Sequence, residues 1–207
     1  MEIHTLFPTV LGVTKIKEYE SIKEKYAPEI IKSFEQNPLD QAPWANYCNS
    51  WQIIAPKNIE QLFYLYFEEH VHKWFTAFGF PPVKYIADMW VNVHTSEMYQ
   101  ETHNHIGKGN ILCGNYNLQL NKKDRPVVFT KNNTYENLLT MSGLDVDNPY
   151  LTNNSHHLIN IEEGDLVLFS PDTEHYAPCA TSKHDGHRIT LSFNIKVDVR
   201  SSPIGDA

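Results

Sequence analysis

The spacing of apolar residues in this 207-residue chain changes at Pro81 and Pro82. That switch restricts the folds open to it more than any other feature. Before the two prolines the repeat is three or four. In "EYESIKEKYAPEIIKSFEQ", residues 18–36, Tyr19, Ile22, Tyr26, Ile30 and Phe34 make the stripe of an amphipathic helix, expected to be interrupted or restarted near Pro28. In "NIEQLFYLYFEEHVHKWFTAFGF", Ile59, Leu62, Phe63, Tyr66, Phe67, Val71, Trp74 and Phe75 form a second stripe, which Gly79, Pro81 and Pro82 end. The first residues, "IHTLFPTVLGVTKI", read as a short strand broken at Pro8 and continued by a second extended piece that could form a sheet edge.

Beyond Pro82 the repeat becomes two. "YIADMWVNVHT", "NILCGNYNLQL", "RPVVFTK", "HHLINI", "DLVLFS" and "RITLSFNIKVDV" are six strand candidates punctuated by Gly, Asn, Asp and Pro. Helices followed by a run of alternating strands predict a mainly β protein. Its core, over residues 83–198, is a double-stranded β-helix, the jelly-roll or cupin-like arrangement of two sheets curled around a cavity. Residues 1–80 form the N-terminal strand and helical support of the same single domain. Polar residues 132–154 are expected to form a long insertion between strands, with a lid or substrate-facing role weighed against padding.

Composition narrows the partners. A formal charge of -8 and the lack of any long Lys/Arg cluster disfavour a grip on phosphate backbones, so no nucleic-acid partner is expected. The N-terminal apolar stretch is too short and too interrupted for a membrane span and lacks the basic start of a signal peptide. Cys48, Cys113 and Cys179 are widely spaced and form no C-x-x-C, which points to a reducing, cytoplasmic setting. Cys113 is assigned to packing at the barrel wall.

Two features carry chemistry. In "QETHNHIGKG", His103 and His105 are two apart, and on extended backbone such residues project to one side and can close on one ion. His70 and His72 have the same spacing on a helix, where they diverge by about 200° and make a poor chelate. The second feature is the strand from Arg188 to Val197. Ile189, Leu191, Phe193, Ile195 and Val197 share one face, and Arg188, Thr190, Ser192 and Asn194 share the other. In an isolated strand the polar face would meet water. Inside a small barrel it would line a cavity, where Arg188 with a hydroxyl two residues on would make a receptor for a carboxylate.

With "GDLVLFSPDTEHYAP" placing His175 thirteen residues before Arg188, the run "WVNV", then "THNHIGKGNILCGNYNLQL", then "HRITLSFN" resembles the Fe(II)- and 2-oxoglutarate-dependent oxygenases. More closely, it is similar to the oxygenase family of this kind found in marine bacteria and their phages. The likeness spans about Met89 to Val197. It implies an enzyme, a dioxygenase with Fe(II) and 2-oxoglutarate as cofactors, that hydroxylates an unidentified small molecule or side chain. It implies His103, His105 and His175 as metal ligands and catalytic centre, Arg188 on the distal carboxylate of 2-oxoglutarate, Thr190 assisting, and Tyr116 and Asn194 as secondary contacts in the cavity.

One position departs from the superfamily pattern of two His and one carboxylate, because residue 105 is His. Three readings stay open: a true three-His site; a carboxylate from Glu101, Asp172 or Glu174; or a site that binds without turnover. Of the other candidates, His156 and His157 point apart on a strand, His184 and His187 look like turn residues, and Trp44 and Trp51 fit a core better than a substrate stack. Two further functions compete, a non-catalytic cupin-like binding protein and a three-His zinc hydrolase. The oligomeric state is open, a homodimer being one option.

Overall fold

The computed structural model describes residues 9–36, 49–51, 59–107, 109–130, 141–143, 155–157 and 160–198. Helix α1, Tyr19–Gln36, runs unbroken through Pro28, against the interruption expected there. Pro28 is exposed, and the buried stripe Ile22, Tyr26, Ala27, Ile30 and Phe34 outweighs the one hydrogen bond proline removes. The second stripe forms α2, Ile59–Leu62, a π turn at Phe63–Phe67, and α3, Glu68–Ala77.

Ten strands form among the described residues: β1 Leu11–Lys15, β2 Asn49–Trp51, β3 Tyr85–His94, β4 Gln100–His103, β5 Asn110–Gln119, β6 Val128–Thr130, β7 Ser155–His157, β8 Asp165–Phe169, β9 His175–Ala177 and β10 Arg188–Val197. All six candidates beyond Pro82 contribute strands. The pre-Pro8 piece and almost all of the 132–154 insertion lie outside the described residues. The major sheet has the order β1-β8-β5-β10-β3-β2 and the minor sheet β4-β9-β6-β7, with antiparallel pairing throughout. This is the double-stranded β-helix.

One face of the major sheet packs on the helices. Phe63 meets the Phe193 ring edge-on at 5.2 Å, Phe67 stacks on it at 5.9 Å, and Phe67 lies 4.9 Å from Tyr116. These rings are fully buried, each contributing on the order of 2 kcal/mol. Phe193 can lie flat on β5 because residue 114 has no side chain: a Cβ there would sit 2.1 Å from the ring.

The other face of the major sheet looks into the barrel. There Cys113 of β5 and Val167 and Phe169 of β8 cluster with Phe129 of β6 in the minor sheet and with Val127 and Ile161. Beside this apolar plug the interior stays open. The polar side of β10 is therefore not a water-facing surface, since Arg188, Thr190 and Ser192 are all buried.

Candidate active site

A cleft between the sheets is lined on the major sheet by Trp90, Asn92 and His94 of β3, Asn115 and Asn117 of β5, and Arg188, Thr190 and Ser192 of β10. On the minor sheet it is lined by Gln100 and His103 of β4 and His175, Tyr176 and Ala177 of β9, with His105 just beyond β4. His103 and His175 are directly opposed across the β4–β9 ladder. His105 sits in the following turn, where its N–H donates to the Pro171 carbonyl at 2.8 Å and its carbonyl accepts from Asn110 Nδ2 at 2.8 Å. Gly109, at φ +75°, lets that turn re-enter β5.

The three imidazoles converge, with one ligand atom of each lying within 4.8 Å of the others. The hydrogen bonds decide which atom. His103 Nδ1 is 2.8 Å from the Glu101 carbonyl, His175 Nδ1 is 2.9 Å from the Thr173 carbonyl, and His105 Nδ1 is 2.7 Å from Asn194 Oδ1. Carbonyl oxygens only accept, so each Nδ1 carries the proton and each Nε2 keeps its lone pair. His105 Nε2 is buried without a partner among the described residues. Oriented imidazoles with their outer N–H groups held by oxygens are the donor set a divalent metal needs, and the residues fit the ion.

Electrostatics agree. Burial, then the neighbouring His103, pushes the His175 pKa down to about 3, against the Thr173 carbonyl's upward pull. Burial likewise lowers that of His105, with the Asn194 hydrogen bond opposing it. Both rings are neutral near pH 7, as ligation requires. A group whose folded pKa lies below its unfolded value binds protons more readily in the unfolded chain. It therefore contributes stability that is present above about pH 6.5 and lost as the pH falls toward 3. For His175 alone this is on the order of 5 kcal/mol at full effect. The melting temperature of metal-free protein should fall steadily from pH 7 to pH 4, and His175→Phe should flatten the slope; an equally steep slope in the variant would show that His175 is not the proton acceptor.

The proposed carboxylate ligands stand elsewhere. Glu101, Asp172 and Glu174 are exposed, and Asp172 accepts a hydrogen bond from Ser170 Oγ. Among the described residues no carboxylate joins the three-His cluster.

Arg188 and Thr190 line the cleft as expected, and Arg188 Nη1 donates to the carbonyls of Arg125 at 2.7 Å and Pro178 at 3.0 Å, which fixes the guanidinium plane. Asn194 acts through His105 instead of lining the cleft, and its Oδ1 also accepts from Cys113 Sγ at 3.3 Å. Burial pushes the Cys113 thiol up to about 12, so it stays a protonated donor. Tyr116 corrects the expectation of a cavity contact: it is buried on the opposite, helix-covered face, against Phe67. Asn115 and Asn117 flank it and point inward, so strand alternation turns Tyr116 outward.

His72 is exposed and lies 4.0 Å from Glu68, whereas His184 pairs with Asp124 at 2.9 Å and His187 meets the Phe34 ring at 5.2 Å. Trp44 and the side chains of Trp51, His156 and His157 lie outside the described residues. Sequence reading missed Asn92, His94, Asn115 and Asn117 as cleft residues. The signal available was the recurrence of polar residues at every second position of two otherwise apolar strands.

The family model described as "Putative 2OG-Fe(II) oxygenase" matches residues 88–194, just over half of the chain, and the chain belongs to that family. A search of curated proteins finds no match. Among solved structures, a Pseudomonas putida prolyl-4-hydroxylase is similar in fold, with a TM-score of 0.60 at 9% identity over 91% of this chain and 92% of that one. AviO1 from Streptomyces viridochromogenes Tue57 gives 0.57 at 10% identity over 96% and 92%. HygX from Streptomyces hygroscopicus, with nickel, 2-oxoglutarate and hygromycin B bound, gives 0.55 at 11% identity over 92% and 84%. At these identities the likeness concerns the fold. Fe(II) and 2-oxoglutarate are the cofactors that the family defines, and the three histidines supply a matching donor set.

Proposed function

We propose that the protein is a dioxygenase that couples oxidation of 2-oxoglutarate to hydroxylation of a small molecule or exposed side chain. The observation that carries this reading is one cleft holding three convergent Nε2 lone pairs together with a buried arginine. When bound, Fe(II) and 2-oxoglutarate supply the oxidising chemistry, in which O₂ is reduced as 2-oxoglutarate becomes succinate and CO₂ and one oxygen atom enters a C–H bond.

The chain's own residues do the rest. Glu101, Thr173 and Asn194 hold the imidazoles in the ligating tautomer. Arg188, with Thr190, receives the distal carboxylate. Three neutral imidazoles leave a divalent ion's charge uncompensated, which favours a dianionic cosubstrate over a neutral one. Phe169 and Phe129, at 4.8 and 6.0 Å from the His175 ring, and Trp90, stacked on His105 at 5.7 Å, keep bulk water from the metal side.

Among the described residues no helix is long and apolar enough to cross a membrane. A cytoplasmic location in a bacterium or an infected host, with no nucleic-acid or membrane partner, belongs to the same proposal; the charge of -8 supports the lack of a nucleic-acid partner.

The test is the visible spectrum of anaerobic protein with Fe(II). A weak charge-transfer band should appear on adding 2-oxoglutarate, and succinate should form on admitting O₂. A protein that purifies with zinc and shows no such band would be a hydrolase or a binding protein instead.

A further inference from the structure

β3 ends at His94, whose Cα is paired directly with that of Arg188 across the β3–β10 ladder. The His94 side chain lines the cleft and is only 3% exposed. Neither of its ring nitrogens has a hydrogen-bond partner among the described residues. Burial, with the Arg188 guanidinium next, holds its pKa well below the ordinary histidine value. It is therefore a neutral ring with one N–H to donate and one lone pair.

A buried N–H left without an acceptor is costly, and native proteins leave few of them. The neighbouring groups do not relieve it. Arg188 offers only donors, and its Nη1 already serves the Arg125 and Pro178 carbonyls. Asn92, two residues back on the same face, directs its amide nitrogen to Ser192 Oγ at 3.0 Å and Thr190 Oγ1 at 3.4 Å. Among the described residues no acceptor meets the His94 ring, which lines the cleft beside Arg188.

We propose that His94 is a second donor, beside Arg188, to the distal carboxylate of 2-oxoglutarate. This rests on the cosubstrate reading above and adds a residue that neither the spacing of the sequence motif nor the metal cluster designates. A neutral imidazole suits the role better than a second cation, because it donates one hydrogen bond without raising repulsion against Arg188.

The test compares 2-oxoglutarate with 2-oxopentanoate, the same chain with a methyl group in place of the distal carboxylate. Affinities are measured by calorimetry on anaerobic Fe(II)-loaded wild type, His94→Leu and His94→Gln. His94→Leu should weaken 2-oxoglutarate about 10-fold or more, leave 2-oxopentanoate and metal affinity unchanged, and be partly rescued in His94→Gln, which keeps a donor. Equal losses for both oxoacids, or no loss for 2-oxoglutarate, would overturn the inference. In zinc-loaded wild type, ¹⁵N-histidine spectra should show the His94 N–H shifting with 2-oxoglutarate and not with 2-oxopentanoate. This reading decides the matter if the variants do not fold, and the absence of such a shift counts against the proposal. Wild-type protein that binds no 2-oxoglutarate would refute the cosubstrate reading itself, a result distinct from binding that is indifferent to residue 94.

Discussion

His175→Ala should purify without iron and take it up at least about 100-fold more weakly than wild type, with turnover lost in parallel. The side chain contributes one of three Nε2 lone pairs, and the remaining two cannot surround the ion. Truncation also leaves a hole lined by Phe169 and Phe129. Free imidazole, which fits that hole, should restore part of the metal uptake. The same titration settles the third ligand. His105→Ala should lose iron, whereas Glu101→Ala and Asp172→Ala should keep it in stoichiometric amount, since both carboxylates are exposed and stand outside the cluster. Stoichiometric iron in His105→Ala with loss in either carboxylate variant would reverse that assignment.

Arg188→Lys should bind 2-oxoglutarate about 100-fold more weakly while its affinity for metal stays within a few-fold of wild type. Nη1 of the guanidinium donates to two backbone carbonyls, which hold the side chain in the lining of the cleft. A lysine ammonium cannot serve both carbonyls and still meet a carboxylate at two points, and at a buried position it is also drawn toward its neutral form. The measurement is a 2-oxoglutarate titration at saturating Fe(II) without oxygen. Equal cosubstrate affinity in the two proteins would remove Arg188 from the site.

Much of the site was legible before any coordinates. The i, i+2 pair at His103 and His105 and the alternation from Arg188 to Asn194 are statements about extended backbone, whose period of two holds wherever a strand forms. His175 became a candidate through its place between a buried strand and Arg188. Tyr116 shows where such reading fails. Its resemblance-based role contradicted the alternation of Asn115, Tyr116 and Asn117, and the local period turned out to be the better guide. Pro28 failed in the opposite direction, because a local helix-breaking preference gave way to a buried stripe on both sides of it.

Sequence by itself determined the class of fold, the helix-to-strand switch at Pro81 and Pro82, and a set of candidate residues for metal and anion in which the third ligand stayed open between His105 and a carboxylate. Those follow from side-chain chemistry and backbone periodicity, which are local. Tertiary structure alone decided three things. It showed that, among the described residues, no carboxylate stands with the three histidines, and that Asn194 serves His105 and not the cleft directly. It also showed that His94 lies against Arg188. Each is a relation between strands separated by tens of residues, set by the register of β10 against β3 and β5 and of β4 against β9. Register depends on the packing of whole sheets, and a shift of one residue would send every one of these side chains to the other face.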